Sequence, residues 1–496
     1  MQFTRLFIAL SLIGATMIHN TASASPERML SVAAVFGDNM VLQQQMAVPV
    51  WGWANPGATV FVSFGGQKKR AVADAGGKWL VKLGKLKGTF EPQSLVIKCG
   101  ETKTYTNILV GEVWLASGQS NMEKPIGKQP GQKPTINAEQ ELAAANYPAI
   151  RIFKVEKNLA ATPQKDLTKF VRWQECSSNA LDSISFSAAA YFFGREIHTN
   201  LSVPVGLIES SWGGTRIEPW TPPVGFEKVA SQKKFAATVL SANKISNTFP
   251  LAIYNAMIAP IAGFAMRGTL WYQGESNVMG TNADNDYRDY ADKMAALIGG
   301  WRTVWGEGAF PFYFVQIAPF KYYGGKIHRA NSPEQLAEFW ALQSRAARQI
   351  KNTGMVVTTD LVDNLDDIHP RNKTDVGHRL ALLALEKTYG EKVESSGPVF
   401  RRVKFSGGKA VVKFDHALGG LVSKDGQPLT WFTLAGADGK FISAEAKIVG
   451  ETVVVSAAEI AKPVAVRFAG AETAQPNLFN AAGLPALPFW AGATMP

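Results

Sequence analysis

Strand-like apolar runs alternate with helical stretches through the middle of the chain, and this constrains the fold more than any other feature. The strand candidates are Ile108–Ala116, Val203–Glu209, Gly268–Tyr272, Phe310–Ala318 and Met355–Thr359. Helices are expected at Ala138–Ala145, Ala188–Thr199, Tyr287–Ile298, Pro333–Ile350 and Thr374–Thr388. Such βα units bury both faces of a sheet under helices, which predicts an α/β domain over 108–390 built on a doubly wound, mostly parallel sheet. Ligands in such folds bind outside the carboxyl ends of the strands.

The flanks have a different texture. From 25 to 107, short runs such as Val48–Trp53, Thr59–Phe64, Trp79–Leu83 and Leu95–Cys99 are divided by Asn55-Pro56-Gly57, Gly65-Gly66 and Gly76-Gly77, the pattern of a small β-sandwich. Similar runs return at Val403–Phe405, Ala410–Phe414, Thr452–Val455 and Val464–Phe468, so 391–470 reads as a second β module and 471–496 as a C-terminal return segment.

Residues 1–24 are set apart. A short basic start, an apolar run from Leu6 to Ile18 and Ala22-Ser23-Ala24 have the layout of a secretory signal peptide, and no later stretch is apolar enough for a span. The mature protein is expected to be exported, periplasmic or secreted. Removing 24 of the 496 residues leaves 472, and with Arg5 gone the net charge falls from +11 to +10. Lys and Arg are scattered, as in Lys68-Lys69-Arg70 and Arg401-Arg402, with no array interleaved with aromatics, so nucleic acid is a poor partner and a modest attraction for anionic glycans remains. Export permits a Cys99–Cys176 bridge, but the two fall in different expected domains, and free thiols are at least as consistent with the sequence.

Polar groups gather at four strand ends. Gly118-Gln119-Ser120-Asn121-Met122 follows the first central strand, Glu209-Ser210-Ser211-Trp212-Gly213-Gly214-Thr215 the second, and Trp271-Tyr272-Gln273-Gly274-Glu275-Ser276-Asn277 the third. The last leads into Asp360, Asp363, Asp366, Asp367 and His369-Pro370. A hydrolytic reading makes Ser120 the nucleophile, which needs an adjacent base, and His369 that base. A carboxylate must then hold the ring; Asp366 is assigned, with Asp367 and Asp363 as rivals. Oxyanion donors would be the Ser120 N–H, the N–H of Gly213 or Gly214, and the Asn277 amide. Gln119, Asn121, Arg216, Gln273 and Glu275 are read as substrate contacts. Arg216 stands out because a guanidinium can grip a carboxylate through two hydrogen bonds, although pairing with Glu218 is the simpler expectation.

Each piece also has an ordinary structural reading: Ser caps helices, Gly pairs make turns, and Trp114, Trp212, Trp220 and Trp271 suit a core. Their joint placement at strand ends favours a site. Other chemistries lack support. The second Gly of a G-x-S-x-G elbow is missing, and there is no H-E-x-x-H pattern, EF-hand spacing, P-loop or dinucleotide fingerprint, so no metal and no cofactor are expected.

These four segments, together with Gly111-Glu112-Val113-Trp114 and the run Asp367-Ile368-His369-Pro370-Arg371-Asn372-Lys373, resemble the sialate O-acetylesterase family, a branch of the SGNH hydrolases. Pro49-Val50-Trp51-Gly52-Trp53, Phe414-Asp415-His416, Gly419-Gly420-Leu421 and Asn477-Leu478-Phe479-Asn480 extend the likeness over most of the mature chain. The resemblance implies a flavodoxin-like SGNH fold, Ser120 as nucleophile, His369 as base, and Gly214 and Asn277 as oxyanion donors. It also implies removal of O-acetyl groups from sugars without a metal. O-acetylated sialic acids are the favoured substrate, with acetylated plant polysaccharides such as acetylxylan as the alternative. A non-catalytic carbohydrate-binding protein is the reading from another class.

Overall fold

One 18-residue strand, β1 (Glu101–Gly118), runs through two sheets. Its first residues alternate between half-buried and exposed, whereas everything from Ile108 to Gly118 is buried. Alternation suits a sheet with one wet face, and a continuous apolar run suits a parallel sheet covered on both sides. The start of β1 accordingly pairs antiparallel with Thr89–Cys99 among the N-terminal strands, and its end forms the middle of the parallel sheet. The expected boundary at 107/108 thus falls inside a strand, with no linker. The computed structural model describes residues 30–493 except 170, 241–244, 280, 283, 284, 327, 328 and 418; the expected leader, 1–24, lies outside the described residues.

The central sheet also contains β2 (Asn146–Lys154), β3 (Gln174–Ser177), β4 (Val205–Ser211), β5 (Gly268–Tyr272), β6 (Phe312–Val315) and β7 (Thr353–Val356). Their order is β3-β2-β4-β1-β5-β6-β7, and all are parallel except the edge strand β3. The sequence reading missed β2 and β3. Pro148 interrupts the apolar pattern of β2, and β3 has only four residues.

Side chains of one strand alternate between two cores. Trp114 and Ala116 join Leu207, Leu270 and Tyr313 under α2 (Ala188–Leu201) and α5 (Thr374–Lys387). Val113 and Leu115 join Trp271, Phe312 and Phe314 under α3 (Tyr290–Trp305) and α4 (Gln335–Gln349). The chain leaves β1 for β2 on one side and, after β4, crosses to β5 on the other. That reversal opens a crevice at the carboxyl end of β1.

Glu112 interrupts the apolar run of β1 and is buried at the opposite end of the sheet. Arg267 grips its carboxylate at 2.6 and 2.9 Å, and Gln43, Gln44 and Tyr389 complete its hydrogen bonds. A buried charge needs such a full set of partners. Glu112 therefore braces the sandwich against the central domain, far from the strand ends.

After α5 the chain forms two four-stranded antiparallel sheets. The return segment packs with them: Leu478–Asn480 forms a separate two-stranded ribbon with Leu421–Ser423, and Phe489–Gly492 joins one of the sheets beside Ala465–Phe468. Asn480 donates to the Ser396 and His416 carbonyls, so the Asn477–Asn480 motif holds loops together. Cys99 and Cys176 are unbridged, and burial pushes the Cys176 thiol up to about 12. No helix among the described residues is long and apolar enough to cross a membrane.

Candidate active site

At the end of β1 the backbone turns at Gly118, whose φ of +137° suits glycine and where a Cβ would lie 2.1 Å from the Tyr272 carbonyl oxygen. Gln119 donates its N–H to that carbonyl, and Ser120 opens the short helix α1 (Ser120–Glu123). Ser120 is half-buried. Among the described residues neither its hydroxyl nor its N–H has a hydrogen-bond partner. Facing it is Gly213, where a Cβ would sit 3.2 Å from Ser120 Cβ.

The glycine turn is held from below. Gly213 donates to Glu123 Oε2 at 2.7 Å, and Lys157 holds the same carboxylate. Gly214, exposed with φ +76°, keeps its N–H unengaged among the described residues. An unpartnered serine hydroxyl and N–H thus face the Gly213 turn, and the next residue, Gly214, carries a further unengaged N–H.

The histidine loop reaches the crevice through Asn121, which donates to the Ile368 carbonyl at 3.0 Å and to Glu275. Asp367 Oδ1 lies 3.6 Å from His369 Nδ1 and accepts the His369 backbone N–H at 3.0 Å. Asp366, the carboxylate assigned from sequence, is not there. Its side chain is 54% exposed and pairs with Lys321 Nζ at 3.1 Å. Within the turn, adjacent residues point to opposite sides, so Asp367 faces in and Asp366 faces out.

Burial is the main cause lowering the His369 pKa from 6.5 to about 4, with Lys373 and Lys124 adding to it and Asp367 opposing. Lys373 is itself fully buried, and burial and Lys124 bring it down to about 7. Burial raises Glu275 above the usual carboxylate range.

Several sequence-assigned contacts move behind the crevice. Asn277 is fully buried. Its amide donates to Glu218 and its oxygen accepts from Ile217 N–H and Gln273, so it supports the loop after Gly214 and presents no donor. Gln273 gives its amide to Gln119, Thr215 and Asn277 and accepts from Tyr290. Asn121 and Glu275 are buried with it. All four had been expected to meet substrate or oxyanion; packing turned them inward, where Asn121 pairs with Glu275 and Gln273 with Asn277, while Glu275 Oε2 has no partner among the described residues. Gln119 accepts from Ser276 N–H and Gln273, leaving its amide nitrogen without a partner among the described residues.

Arg216 departs from its simpler expectation. Glu218 is buried and bound to Lys293 at 2.9 Å, so Arg216 is half-buried with no acidic partner among the described residues. Sequence reasoning missed Glu123, Lys124 and Lys373. A lysine four residues after the histidine, at the start of a helix whose dipole disfavours cations, was the available signal for Lys373. Trp114, Trp220 and Trp271 are core, whereas Trp212 is partly exposed with Lys157 over its ring at 5.7 Å. Among the described residues no cluster of three or more His, Cys, Asp or Glu could hold a metal.

The family model for carbohydrate esterase, sialic acid-specific acetylesterase, matches residues 110–386. Human sialate O-acetylesterase is 32% identical over 419 residues, covering 77% of this chain and 76% of that protein. The mouse sialate O-acetylesterase is 31% identical over 428 residues, covering 75% and 76%. A crystal structure of a carbohydrate acetylesterase from Xanthomonas citri has a TM-score of 0.83 at 36% identity, covering 94% of this chain and 100% of that one. The chain therefore belongs to the sialic acid-specific acetylesterase family of carbohydrate esterases and is a carboxylic ester hydrolase.

Proposed function

We propose that this protein is a serine O-acetylesterase of SGNH type that removes acetyl groups from sugars, with O-acetylated sialic acids as its substrate. The observation that carries the reading is Ser120 at the carboxyl end of β1, with its hydroxyl and N–H open, opposite the Gly213-Gly214 turn. In the first step Ser120 Oγ attacks the acetyl carbonyl while His369 takes its proton. Asp367 orients the ring and stabilises the imidazolium. The Ser120 and Gly214 N–H groups receive the oxyanion. Collapse of the tetrahedral intermediate expels the sugar alkoxide, which takes the proton from His369 and leaves an acetyl-Ser120 ester. Water, activated by His369, then releases acetate and restores the serine.

The unpaired Arg216 beside this turn supports a sugar that bears a carboxylate, as sialic acid does. The leader-like segment 1–24 and the division into sandwich, hydrolase domain and β module fit an exported enzyme acting on glycans. The test is Ser120→Ala, assayed by acetate release from a chromogenic acetate ester and from O-acetylated sialic acid. Loss of both activities is expected; full retention of either overturns the serine mechanism. Rates on acetylxylan and on O-acetylated sialic acid, compared side by side, decide the substrate class.

A further inference from the structure

Lys373 is fully buried at the N-terminal end of α5, where both desolvation and the helix dipole oppose a positive charge. Surface lysines solve neither problem this way, and its contacts are specific. Its Nζ donates to Asn121 Oδ1 at 2.7 Å and lies 5.1 Å from the centre of the Tyr272 ring. Asn121 directly follows Ser120, and its other amide group donates to Ile368, the residue before His369. One side chain, held by the Lys373 ammonium on its oxygen and by Glu275 on its nitrogen, thus spans from the serine turn to the histidine loop.

We propose that Lys373 is a positioning residue, whose buried ammonium on Asn121 ties the Ser120 turn to the Ile368–His369 loop and adds positive charge to the surroundings of His369. This rests on the serine–histidine mechanism proposed above. Without Lys373, the Asn121 oxygen loses its donor and the amide is held through its nitrogen alone, by Glu275 and the Ile368 carbonyl. The link between the serine turn and the histidine loop is then looser, and misplacement by about 1 Å is enough to cost on the order of 10²-fold in rate.

The charge has a second effect. The charged groups bearing on His369 are Lys373 from α5, Lys124 from the end of α1 and Asp367 from its own loop. Lys373 in turn lies in the field of Lys124, Glu275, Asp367 and Asp363. Two lysines against one adjacent carboxylate leave an imidazolium poorly compensated. The ring stays uncharged, and able to accept the serine proton, in mildly acidic surroundings where an ordinary histidine is already protonated.

Three variants of the full chain separate tether from charge. Lys373→Met removes both, Lys373→Gln keeps a donor for Asn121 without the charge, and Lys373→Arg keeps the charge. In Lys373→Met, kcat on a chromogenic acetate ester should fall at least about tenfold with KM within about twofold, because the interaction is made to the catalytic groups and not to substrate. The acidic limb of its kcat/KM profile should move up by about one pH unit. Lys373→Gln should recover kcat in part but show the same shifted limb, and Lys373→Arg should keep the limb of the parent. An acidic limb in Lys373→Met and Lys373→Gln that coincides with that of the parent overturns the proposal, even if both are slow, since a purely structural role would lower rate without moving it. Should the variants not fold, an NMR titration of His369 in the Ser120→Ala protein decides, because an ordinary histidine pKa there also overturns it. If Ser120→Ala and His369→Gln remain active, the serine mechanism itself has failed; if they are dead and the limb does not move, only the role of Lys373 has.

Discussion

Glu123 Oε2 accepts the Gly213 N–H at 2.7 Å, so the helix that begins with the serine also anchors the glycine turn opposite it. Lys157 fixes the other carboxylate oxygen at 2.5 Å, which keeps Glu123 from swinging away. If the turn supplies an oxyanion donor through Gly214, Glu123→Ala will lower kcat by about 10²–10³, the usual cost of one such donor, with little change in KM. Glu123→Gln retains an acceptor oxygen and should be milder. Steady-state kinetics on a chromogenic acetate decide it, and an unchanged kcat in Glu123→Ala would remove the turn from the mechanism.

The two neighbouring aspartates should separate cleanly. Asp367→Asn takes away the carboxylate beside His369 Nδ1 and is expected to lower kcat by about 10²–10⁴. Asp366→Asn breaks only a solvent-exposed pair with Lys321 and should leave kcat within about twofold. The reverse order would restore the assignment made from sequence.

Activity should persist into acid. With His369 at about 4, kcat/KM should fall only as the pH drops through that value, whereas a limb near 6.5 would mean that the ring is not buried among lysines in solution. The same group affects stability. Between about 4 and 6.5 the unfolded chain binds a proton that the native ring refuses, so His369 makes stability fall as the pH falls through that window. Urea melts on wild type and His369→Gln across it would measure the difference.

Glu307 acts in the opposite direction. It is half-buried, one carboxylate oxygen has no partner among the described residues, and burial raises it to about 8. Between 4.5 and about 8 the native state holds a proton that the unfolded chain has released, so stability falls as the pH rises through that range. Glu307→Gln, neutral at every pH, should raise Tm by about 2–4 °C above that range and do little below it. Equal shifts at both ends would show that titration is not the cause.

Arg216 is the residue to probe for substrate choice. Loss of a charge-assisted contact to a carboxylate costs about 1.4 kcal/mol or more, so Arg216→Ala should raise KM for O-acetylated sialic acid at least about tenfold. The same variant should barely change KM for a neutral acetylated xylo-oligosaccharide. Matching effects on both substrates would mean that Arg216 shapes the turn and does not read charge.

Four of the parallel strands, β1, β4, β5 and β6, were legible from their apolar runs, whereas β7 begins two residues before the expected Met355–Thr359 and ends at Val356. Helices α2, α4 and α5 were legible because their apolar residues recur with helical spacing over three turns or more. β2 was not, since Pro148 and a polar start mask it. Ser120 and His369 were singled out from chemistry and strand-end placement, and the structure puts Ser120 just after β1 and His369 beside Asp367. The partner of His369 was not legible, because Asp366 and Asp367 are adjacent and chemically identical, and only the turn decides which one faces the ring.

Composition and pattern by themselves determined the α/β class, the flanking β modules and the strand ends where polar groups would meet. They carry that information because periodicity and turn residues are local properties of the chain. Which polar group faces the crevice was decided by tertiary structure alone. Asn121, Gln273, Glu275 and Asn277 look like ligand contacts in a linear reading, yet packing turned them inward into one hydrogen-bonded network, while Glu218 went to Lys293 and left Arg216 without an acidic partner among the described residues. Hydrogen-bond satisfaction in a buried network depends on residues distant in sequence, and those meet only once the sheet has formed.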